Sequence, residues 1–361
     1  MSYIYDDNLE LFTNRYLSTN DVLLVPKTGM LDTRKAAQVA GYTFLYSSPM
    51  DTVTDDALIS EMLSSNQASL SCRFFPKEKK LDTLHKFHAD ENFWYSVGSS
   101  KEEFQQLKNI AIRNNYKLNI AVDVAHGDTT KLYKIYSLYS SQSWCRKLMS
   151  GTIATPASAR KVYTHGCTHI RVGIGPGSAC STRIVTGCGV PNLSAIFNVY
   201  SEFLDEPERP TIIADGGIKT SGDICKYLSA GADAVMMGSV LSSLKESAGW
   251  RVSFLSLFIY ILTFGIFKSY KLYYKYYRGQ ASAEFQLDRK GSVSGTPEGV
   301  QGPIQYQTTT FDKFFHGIVG GIASSLSYLG LKNVANMSPK TVSFIKITQN
   351  GYKESTPHIL D

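Results

Sequence analysis

The sequence predicts a barrel of eight parallel strands, each followed by a helix, on two observations. First, eight short apolar, β-branched or aromatic runs follow one another, and segments with helical period and charge separate them. Second, glycines and polar residues collect directly after these runs, where the loops of the carboxyl-terminal face of a barrel lie. A doubly wound open sheet is the alternative. It normally has its glycine-rich phosphate loop after the first strand, and this sequence has none there.

The predicted elements cover most of the chain. A short strand is expected at residues 21–26, after a polar lead. The predicted barrel strands are 42–47, 68–75, 93–97, 118–124, 147–153, 169–174, 211–214 and 234–237. The predicted helices between them are 55–64, 77–88, 101–114, 129–139, 156–164, 192–203 and 221–229. Beyond the barrel we expect an aromatic insertion and a mobile flap within 250–302, a helix at 311–329, a strand at 341–348 and a tail at 351–361.

Composition excludes several classes of protein. The 361 residues carry a formal charge of +6 without a basic block, which does not indicate nucleic-acid binding. The six cysteines form no C-x-x-C pair, so neither a zinc site nor a disulfide framework is expected, and a reducing, cytoplasmic setting fits. Residues 252–267 are uncharged but shorter than the roughly 20 residues that span a bilayer, so a buried helix or two apolar strands are expected there. We therefore predict one catalytic domain over residues 1–361, with no signal peptide and no membrane partner.

The stretch at residues 173–183 is the strongest candidate for a site. Its sequence, Gly-Ile-Gly-Pro-Gly-Ser-Ala-Cys-Ser-Thr-Arg, forces a tight turn directly after the sixth predicted strand. Glycines there let backbone N–H groups approach an anion, and Cys180 follows them where a ligand can reach it. Taken alone, the stretch would be explained better as a glycine-rich turn that holds a buried thiol.

Two further loops favour a phosphate ligand. Gly216 and Gly217 follow the seventh predicted strand, and Gly238 and Ser239 follow the eighth, which is where barrels commonly bind phosphate. Glycines chosen only for tight turns are the alternative for either loop alone. Strand-end carboxylates (Asp51, Asp123 and Asp215) are expected to bind ligand hydroxyls or cap loops, and His126 is either a ligand or a loop hydrogen-bonder.

At the level of motifs the chain resembles the IMP dehydrogenase and GMP reductase family. The motifs that carry the resemblance are NDVLLVP at 20–26, SPMDTVT at 48–54, residues 173–183, ADGGI at 214–218, MGS at 237–239, YRG at 277–279 and PEGVQG at 297–302. The resemblance implies that Cys180 attacks the purine at C2 and that hydride then passes to NAD⁺. It also implies that water, aided by the flap, hydrolyses the covalent intermediate.

The resemblance assigns roles to residues across the chain. Arg289 and Thr182 would act in hydrolysis, and Glu284 resembles a catalytic glutamate of some reductases. The nucleotide-binding positions would be Ser47, Ser178, Asp215, Gly216, Gly217, Gly238, Ser239, Tyr277 and Glu298. Asp123, His126, Gly173 and Gly175 would contact the cofactor. A K⁺ ion would take carbonyls of Gly175, Gly177 and Cys180, completed by Glu354, Ser355 and Thr356 of a neighbouring subunit, which implies a homotetramer.

The sequence departs from the family pattern in several places. Only about twenty residues follow Phe75 before the next strand, too few for the tandem CBS regulatory module that dehydrogenases usually insert. Lys290 stands where tyrosine normally follows the flap arginine, and the flap has a reductase-like length. Three hypotheses follow: an NAD-dependent IMP dehydrogenase without the regulatory module, an NADPH-dependent GMP reductase that uses the same cysteine, or an inactive nucleotide-binding relative.

Overall fold

Eight parallel strands form a barrel at the centre of the computed structural model, as predicted. The structure describes residues 2–13, 15–29, 31, 33–249, 251, 252, 262 and 274–355. The barrel strands are β2 Leu45–Ser47, β3 Ser69–Leu70, β4 Phe93–Val97, β5 Leu118–Val122, β6 Cys145–Met149, β7 His169–Val172, β8 Thr211–Asp215 and β9 Ala234–Met237. Each pairs with its neighbour in chain order, and β2 pairs in parallel with β9. The Ala68 amide donates to the Leu45 carbonyl at 3.0 Å, which closes the ring between β2 and β3.

Helices alternate with these strands, and several of the loops supply a side chain that caps the next helix. Thr129, Thr155 and Thr220 each accept a hydrogen bond from a backbone N–H in the first turn of the helix that follows. The helices are α2 Asp56–Ser64, α3 Lys77–Phe87, α4 Lys101–Arg113, α5 Thr130–Ser140, α6 Pro156–Thr164, α7 Thr182–Thr186, α8 Asn192–Glu202, α9 Ser221–Ser229 and α10 Ser239–Ser242. Their apolar faces cover the barrel, and a separate cluster that includes Trp94 and Met236 fills its interior.

Several predicted strands are shorter than expected. The run at 68–75 contributes only Ser69–Leu70 to the sheet, and the run at 147–153 is replaced by Cys145–Met149. Polar residues beyond these strands leave the sheet because they build loops at the carboxyl-terminal face. The polar lead forms a helix, α1 Ser2–Phe12, which the sequence analysis did not predict.

The flap contains regular structure where a loop was expected. Strands β10 Arg251–Val252, β11 Tyr274–Arg278 and β12 Gln301–Gln305 form an antiparallel sheet, and helix α11 Ala283–Lys290 lies between β11 and β12. The predicted apolar insertion at 252–267 falls almost entirely outside the described residues. Among the helices that are described, none is long and apolar enough to cross a membrane.

Terminal elements cover the amino-terminal side of the barrel. Helix α12 Phe311–Leu329 packs against α9, as expected for the predicted helix. Strand β1 Val22–Leu24 pairs antiparallel with β13 Phe344–Lys346, and helix α13 Gln349–Glu354 follows in the predicted tail. The Asn8 side chain in α1 donates to two carbonyls, those of Pro339 and Val342, and accepts from the Phe344 amide.

Candidate active site

One cavity lies at the carboxyl-terminal ends of the barrel strands, beneath the flap. Most of the residues expected to bind or transform a ligand line it: Asp123, Gly173, Gly175, Gly177, Ser178, Cys180, Thr182, Asp215, Gly216, Gly217, Gly238, Ser239, Tyr277 and Glu298. They come from loops after β5, β7, β8 and β9 and from the flap. The structure therefore brings together residues up to 175 positions apart in the chain, from Asp123 to Glu298.

Two glycine loops lie against each other on one side of the cavity. Gly216 has φ +85°, and a Cβ on it would lie 3.1 Å from the Gly177 nitrogen. Gly173 has φ +153°, and a Cβ there would approach the Asp215 carbonyl oxygen to 2.1 Å. Only glycine fits both places without moving backbone. The close approach leaves backbone N–H groups available beside Ser178 and Ser239, which is the chemistry of a phosphate site.

Cys180 presents an exposed thiol to this cavity. Its Sγ–H donates to Thr182 Oγ1 at 3.2 Å, since Thr182 begins the short helix α7 directly after the glycine loop. The flap supports the same loop from outside: the Val300 amide donates to the Ala179 carbonyl at 3.0 Å, and the Ser181 amide donates to the Glu298 carbonyl at 2.9 Å. A nucleophile and a hydroxyl are therefore held side by side in an accessible position.

Arg171 organises the carboxylates at the base of the cavity. Its guanidinium is buried, donates to Asp215 Oδ2 at 2.8 and 3.0 Å, and donates to Asp123 Oδ1 at 3.0 Å. The two carboxylates hold the pKa of Arg171 above its ordinary value, against the opposing effect of burial. Asp123 Oδ2 is buried and accepts no hydrogen bond within the described chain, although Arg73 Nε lies 3.4 Å away. That oxygen can accept a hydrogen bond from a hydroxyl group of a ligand.

Tyr277, in strand β11 of the flap, lines the cavity. A Cβ on Gly238 would lie 3.0 Å from the Tyr277 hydroxyl and 3.2 Å from the Ser48 hydroxyl, so both hydroxyls crowd around this glycine. Burial raises the pKa of Tyr277 to about 12, while a hydrogen bond with Ser178 partly opposes the rise. The side chain is therefore a neutral donor at physiological pH.

Several predicted site residues lie away from the cavity. Ser47 is buried in the barrel wall, where its hydroxyl bonds Ser69 Oγ at 2.8 Å and accepts from the Leu70 amide. The next residue, Ser48, lines the cavity instead, because side chains alternate between the two faces of a strand and its continuation. His126 and Glu284 are exposed and are not among the lining residues.

The flap arginine is held outside the cavity. Arg289 Nη2 lies 3.6 Å from Asp51 Oδ2, and the same oxygen accepts from Arg278 Nη2 at 2.6 Å. Arg278 also pairs with the exposed Asp288 at 2.7 Å. In this arrangement Asp51 fastens the flap to the loop after β2.

Sequence reasoning missed Ser48, Met50, Arg171 and Gln280, all of which line the cavity. Arg171 carried a usable signal, since a charged residue between Ile170 and Val172 in a buried strand requires a buried partner. Gln280 carried none. Its side-chain amide donates to the Pro49 carbonyl at 2.7 Å, a contact that exists only once the flap has folded over the barrel.

The residues of the cavity fit a dinucleotide, whereas those of a single chain do not fit K⁺ as well. The unpartnered oxygen of Asp123 fits a ribose hydroxyl. For K⁺, the Gly177 carbonyl already accepts from the Cys180 amide at 2.9 Å. Glu354 and Ser355 are exposed at the end of α13, and Thr356 lies outside the described residues. The described part of one chain therefore does not complete a cation site.

Comparison with known proteins agrees with this geometry. The sequence model of the IMP dehydrogenase / GMP reductase domain matches residues 11–358. The chain belongs to that family. It is 35% identical over 251 residues to an inosine-5'-monophosphate dehydrogenase of Chlorobaculum parvum, covering 66% of this chain and 47% of the relative. Enzymes of the same name from Halalkalibacterium halodurans (36% over 239 residues; 66% and 47% covered) and Methanocaldococcus jannaschii (36% over 257 residues; 66% and 48% covered) are similar to it. The chain spans about half the length of these curated relatives.

Proposed function

We propose that this member of the IMP dehydrogenase / GMP reductase family oxidises IMP to XMP with NAD⁺. The observation that carries the proposal is the accessible Cys180 thiol beside Thr182, in a cavity shared with two glycine loops of phosphate-binding type. Relatives named inosine-5'-monophosphate dehydrogenase support the choice of substrate. Cytoplasmic location is part of the same proposal.

Cys180 supplies the nucleophile in this reaction. Its proton leaves, and the thiolate sulfur forms a bond to C2 of the purine. The C2 hydrogen then departs with its electron pair, which leaves a thioimidate on Cys180. When bound, NAD⁺ supplies the acceptor for that hydride. Water adds to C2, the C2–S bond breaks, and the thiolate recovers its proton as XMP forms. Thr182 Oγ1, 3.2 Å from Sγ, is positioned to hold a proton or orient the water.

Other residues bind and orient the substrate. Backbone N–H groups at Gly217 and Ser239, together with the Ser178 and Tyr277 hydroxyls, would hold the phosphate. Arg171 would hold Asp215 in place for ribose hydroxyls, and Asp123 would accept a hydrogen bond from a hydroxyl of the dinucleotide. Glu298 lines the cavity at its flap side, where the purine edge would lie.

The decisive test is a paired cofactor assay with matched cysteine variants. IMP with NAD⁺ should produce NADH, and GMP with NADPH should show no nucleotide-dependent consumption of NADPH. Cys180→Ala should lower turnover at least about 10³-fold, while Cys188→Ala should remain active; both thiols are exposed, but only Cys180 lines the cavity. NADPH consumption with GMP would replace the proposal with a reductase, and full activity of Cys180→Ala would overturn the covalent mechanism.

Hydrolysis is assigned to the flap through Arg289. On this proposal Arg289→Ala should release a burst of NADH and then stall, because hydride transfer is complete before water is activated.

A K⁺-containing homotetramer remains part of the proposal and is tested by the mass of the assembly and by exchanging K⁺ for Li⁺. A monomer that is fully active without K⁺ would remove that part alone.

A further inference from the structure

A second cavity lies at the opposite end of the barrel, where the strands begin. It has a volume of about 530 Å³, within the range of small-molecule pockets. Residues preceding or opening the strands form its walls, among them Thr43, Thr211 and Asp233. Val334 and Met337, in the segment after α12, close one side. None of the lining residues belongs to the catalytic cavity, so occupancy of one does not require the other.

Two buried polar groups line this second cavity without partners of their own. Tyr46 is only 5% exposed, and its hydroxyl makes no hydrogen bond within the described residues. His169 is 8% exposed. Its Nδ1 lies 2.9 Å from Thr168 Oγ1, and that hydroxyl donates its own proton to the Leu148 carbonyl. With the Thr168 hydroxyl donating to the Leu148 carbonyl, Nδ1 carries the imidazole proton and Nε2 is an acceptor, with no hydrogen bond among the described residues. Both groups line the cavity and are open to a hydrogen bond with a ligand there.

The mouth of the cavity shows which charge it accepts. Arg209 donates to both oxygens of Asp233, at 2.8 and 2.6 Å, and its guanidinium lies 5.5 Å from the Tyr200 ring centroid. The one arginine of the lining is thus neutralised by its carboxylate, and an anionic ligand gains no free cation from it. The acceptors His169 Nε2 and Asp233 Oδ1 instead favour a ligand that donates N–H groups.

The walls add a preference for a flat ring. Tyr42, Phe44, Tyr46 and Tyr200 all line the cavity, and aromatic faces and edges pack well against planar ligands. A planar, uncharged ring with N–H donors satisfies every group described here. Water alone would form hydrogen bonds with the polar groups but would leave the apolar surface of the aromatic side chains hydrated.

We propose that this cavity, at the amino-terminal end of the barrel, binds a neutral planar nitrogen heterocycle that bears N–H donors, such as an unphosphorylated nucleobase. The ring lies among the tyrosines, and its N–H groups donate to His169 Nε2 and to Asp233. The Tyr46 hydroxyl donates to a ring nitrogen. Because the segment at 334–338 forms one wall, the ligand also joins that segment to the barrel.

The test is calorimetric titration of the whole chain with three matched probes, with the catalytic cavity kept saturated by IMP. Adenine should bind with a Kd below about 1 mM. 6-Methylpurine lacks the exocyclic amine and should bind about three- to tenfold more weakly, the effect of one lost hydrogen bond. AMP should bind this cavity no more tightly than adenine, because the phosphate finds no free cation. Failure of adenine to bind at millimolar concentration, or equal binding of adenine and 6-methylpurine, would overturn the proposal.

Variants locate the binding. Tyr46→Phe removes only the hydroxyl, and His169→Phe replaces the imidazole by a larger ring without a hydrogen-bonding nitrogen; each should weaken adenine binding about three- to tenfold. Ser48→Ala, in the catalytic cavity, should leave adenine binding unchanged. The reverse pattern would move the adenine to the catalytic cavity and refute the assignment. If either barrel variant fails to fold by circular dichroism, the three-probe comparison on the unaltered chain still decides.

Discussion

Arg171 is the residue on which the geometry of the catalytic cavity most depends. One guanidinium serves Asp123 and Asp215, which arrive from two different strands, and all three side chains are almost fully buried. A buried charge without a partner is far more costly than a surface one. Arg171, which lies beneath the two carboxylates, therefore fixes the position of both in the cavity.

Replacement of Arg171 by Met should lower the free energy of unfolding by about 3–5 kcal/mol, since it leaves Asp215 buried without a cation and leaves Asp123 with only Arg73, 3.4 Å away. Urea unfolding followed by circular dichroism measures this. Arg160→Gln is the matched control: Arg160 also pairs with two carboxylates, Glu202 and Glu206, but each partner is about one-third exposed. It should lose only about 0–1 kcal/mol. Equal losses in the two variants would show that burial of the Arg171 cluster carries no special cost.

At the scale of elements, the cavity depends on two loops in close contact. Gly173 and Gly187 both have positive φ, but they differ in surroundings. A Cβ on Gly173 would collide with the Asp215 carbonyl, whereas a Cβ on Gly187 would meet nothing within 4 Å. The comparison separates backbone strain, which both positions share, from loss of space, which affects only the first.

Gly173→Ala should destabilise the chain by about 3 kcal/mol or more, from strain and overpacking together. Gly187→Ala should cost about 1 kcal/mol, the strain alone. Thermal unfolding of both variants under one set of conditions gives the comparison. A loss for Gly187→Ala as large as that for Gly173→Ala would contradict the proposed contact between the loops after β7 and β8.

The flap is a second element whose position rests on a few contacts. Asp51→Asn should loosen it, because the side chain of Asp51 is 5% exposed and accepts from Arg278 while Arg289 lies nearby. We expect amide hydrogen exchange in β11 and α11 to rise by at least about tenfold, with β4 unchanged. Asp288→Asn removes the exposed partner of the same arginine and should change exchange little. Unchanged flap exchange in Asp51→Asn would mean that other contacts hold the flap.

Sequence patterns predicted the barrel well because its strands and helices follow apolar periodicity. The loops after β7, β8 and β9 were also accessible to prediction, since glycines and hydroxyls marked them. Other features depended on tertiary contacts. Helix α1 has the sequence of a polar lead, and its position depends on a tertiary contact: Phe12 stacks on Phe197, with ring centroids 4.4 Å apart. The choice of Ser48 over Ser47 depends on which face of the barrel wall each side chain meets, and strand register alone decides that.

At the scale of the whole molecule, one buried histidine links stability to pH. Burial, with a smaller effect from Lys147, lowers the pKa of His169 from 6.5 to about 3. The folded state keeps this imidazole neutral while the unfolded chain takes up a proton below pH 6.5. The contribution of His169 to the free energy of unfolding is therefore complete above pH 6.5, and it is lost as the pH falls from 6.5 towards 3.

Between pH 7 and pH 5 the wild-type chain should therefore lose about 2 kcal/mol that His169→Phe does not lose. Urea unfolding at several pH values in this window measures the difference, with each protein referred to its own value at pH 7. Because both chains contain the same carboxylates, the effect of carboxylate titration on stability cancels in this comparison. Parallel pH profiles would show that His169 is protonated in the folded barrel.

The bonds from Asn8 to Pro339 and Val342 have a consequence for synthesis on the ribosome. The partners are more than 330 positions apart, and β1 likewise pairs with β13 near the other end of the chain. At about 5–20 residues per second, the first helix and strand wait tens of seconds for these partners. Throughout that interval the edge of β1, including the apolar Leu23, is open to other chains. Nascent chains on one messenger should therefore associate through this segment more readily than through strands β3 to β9, each of which has a neighbouring strand that emerges within seconds.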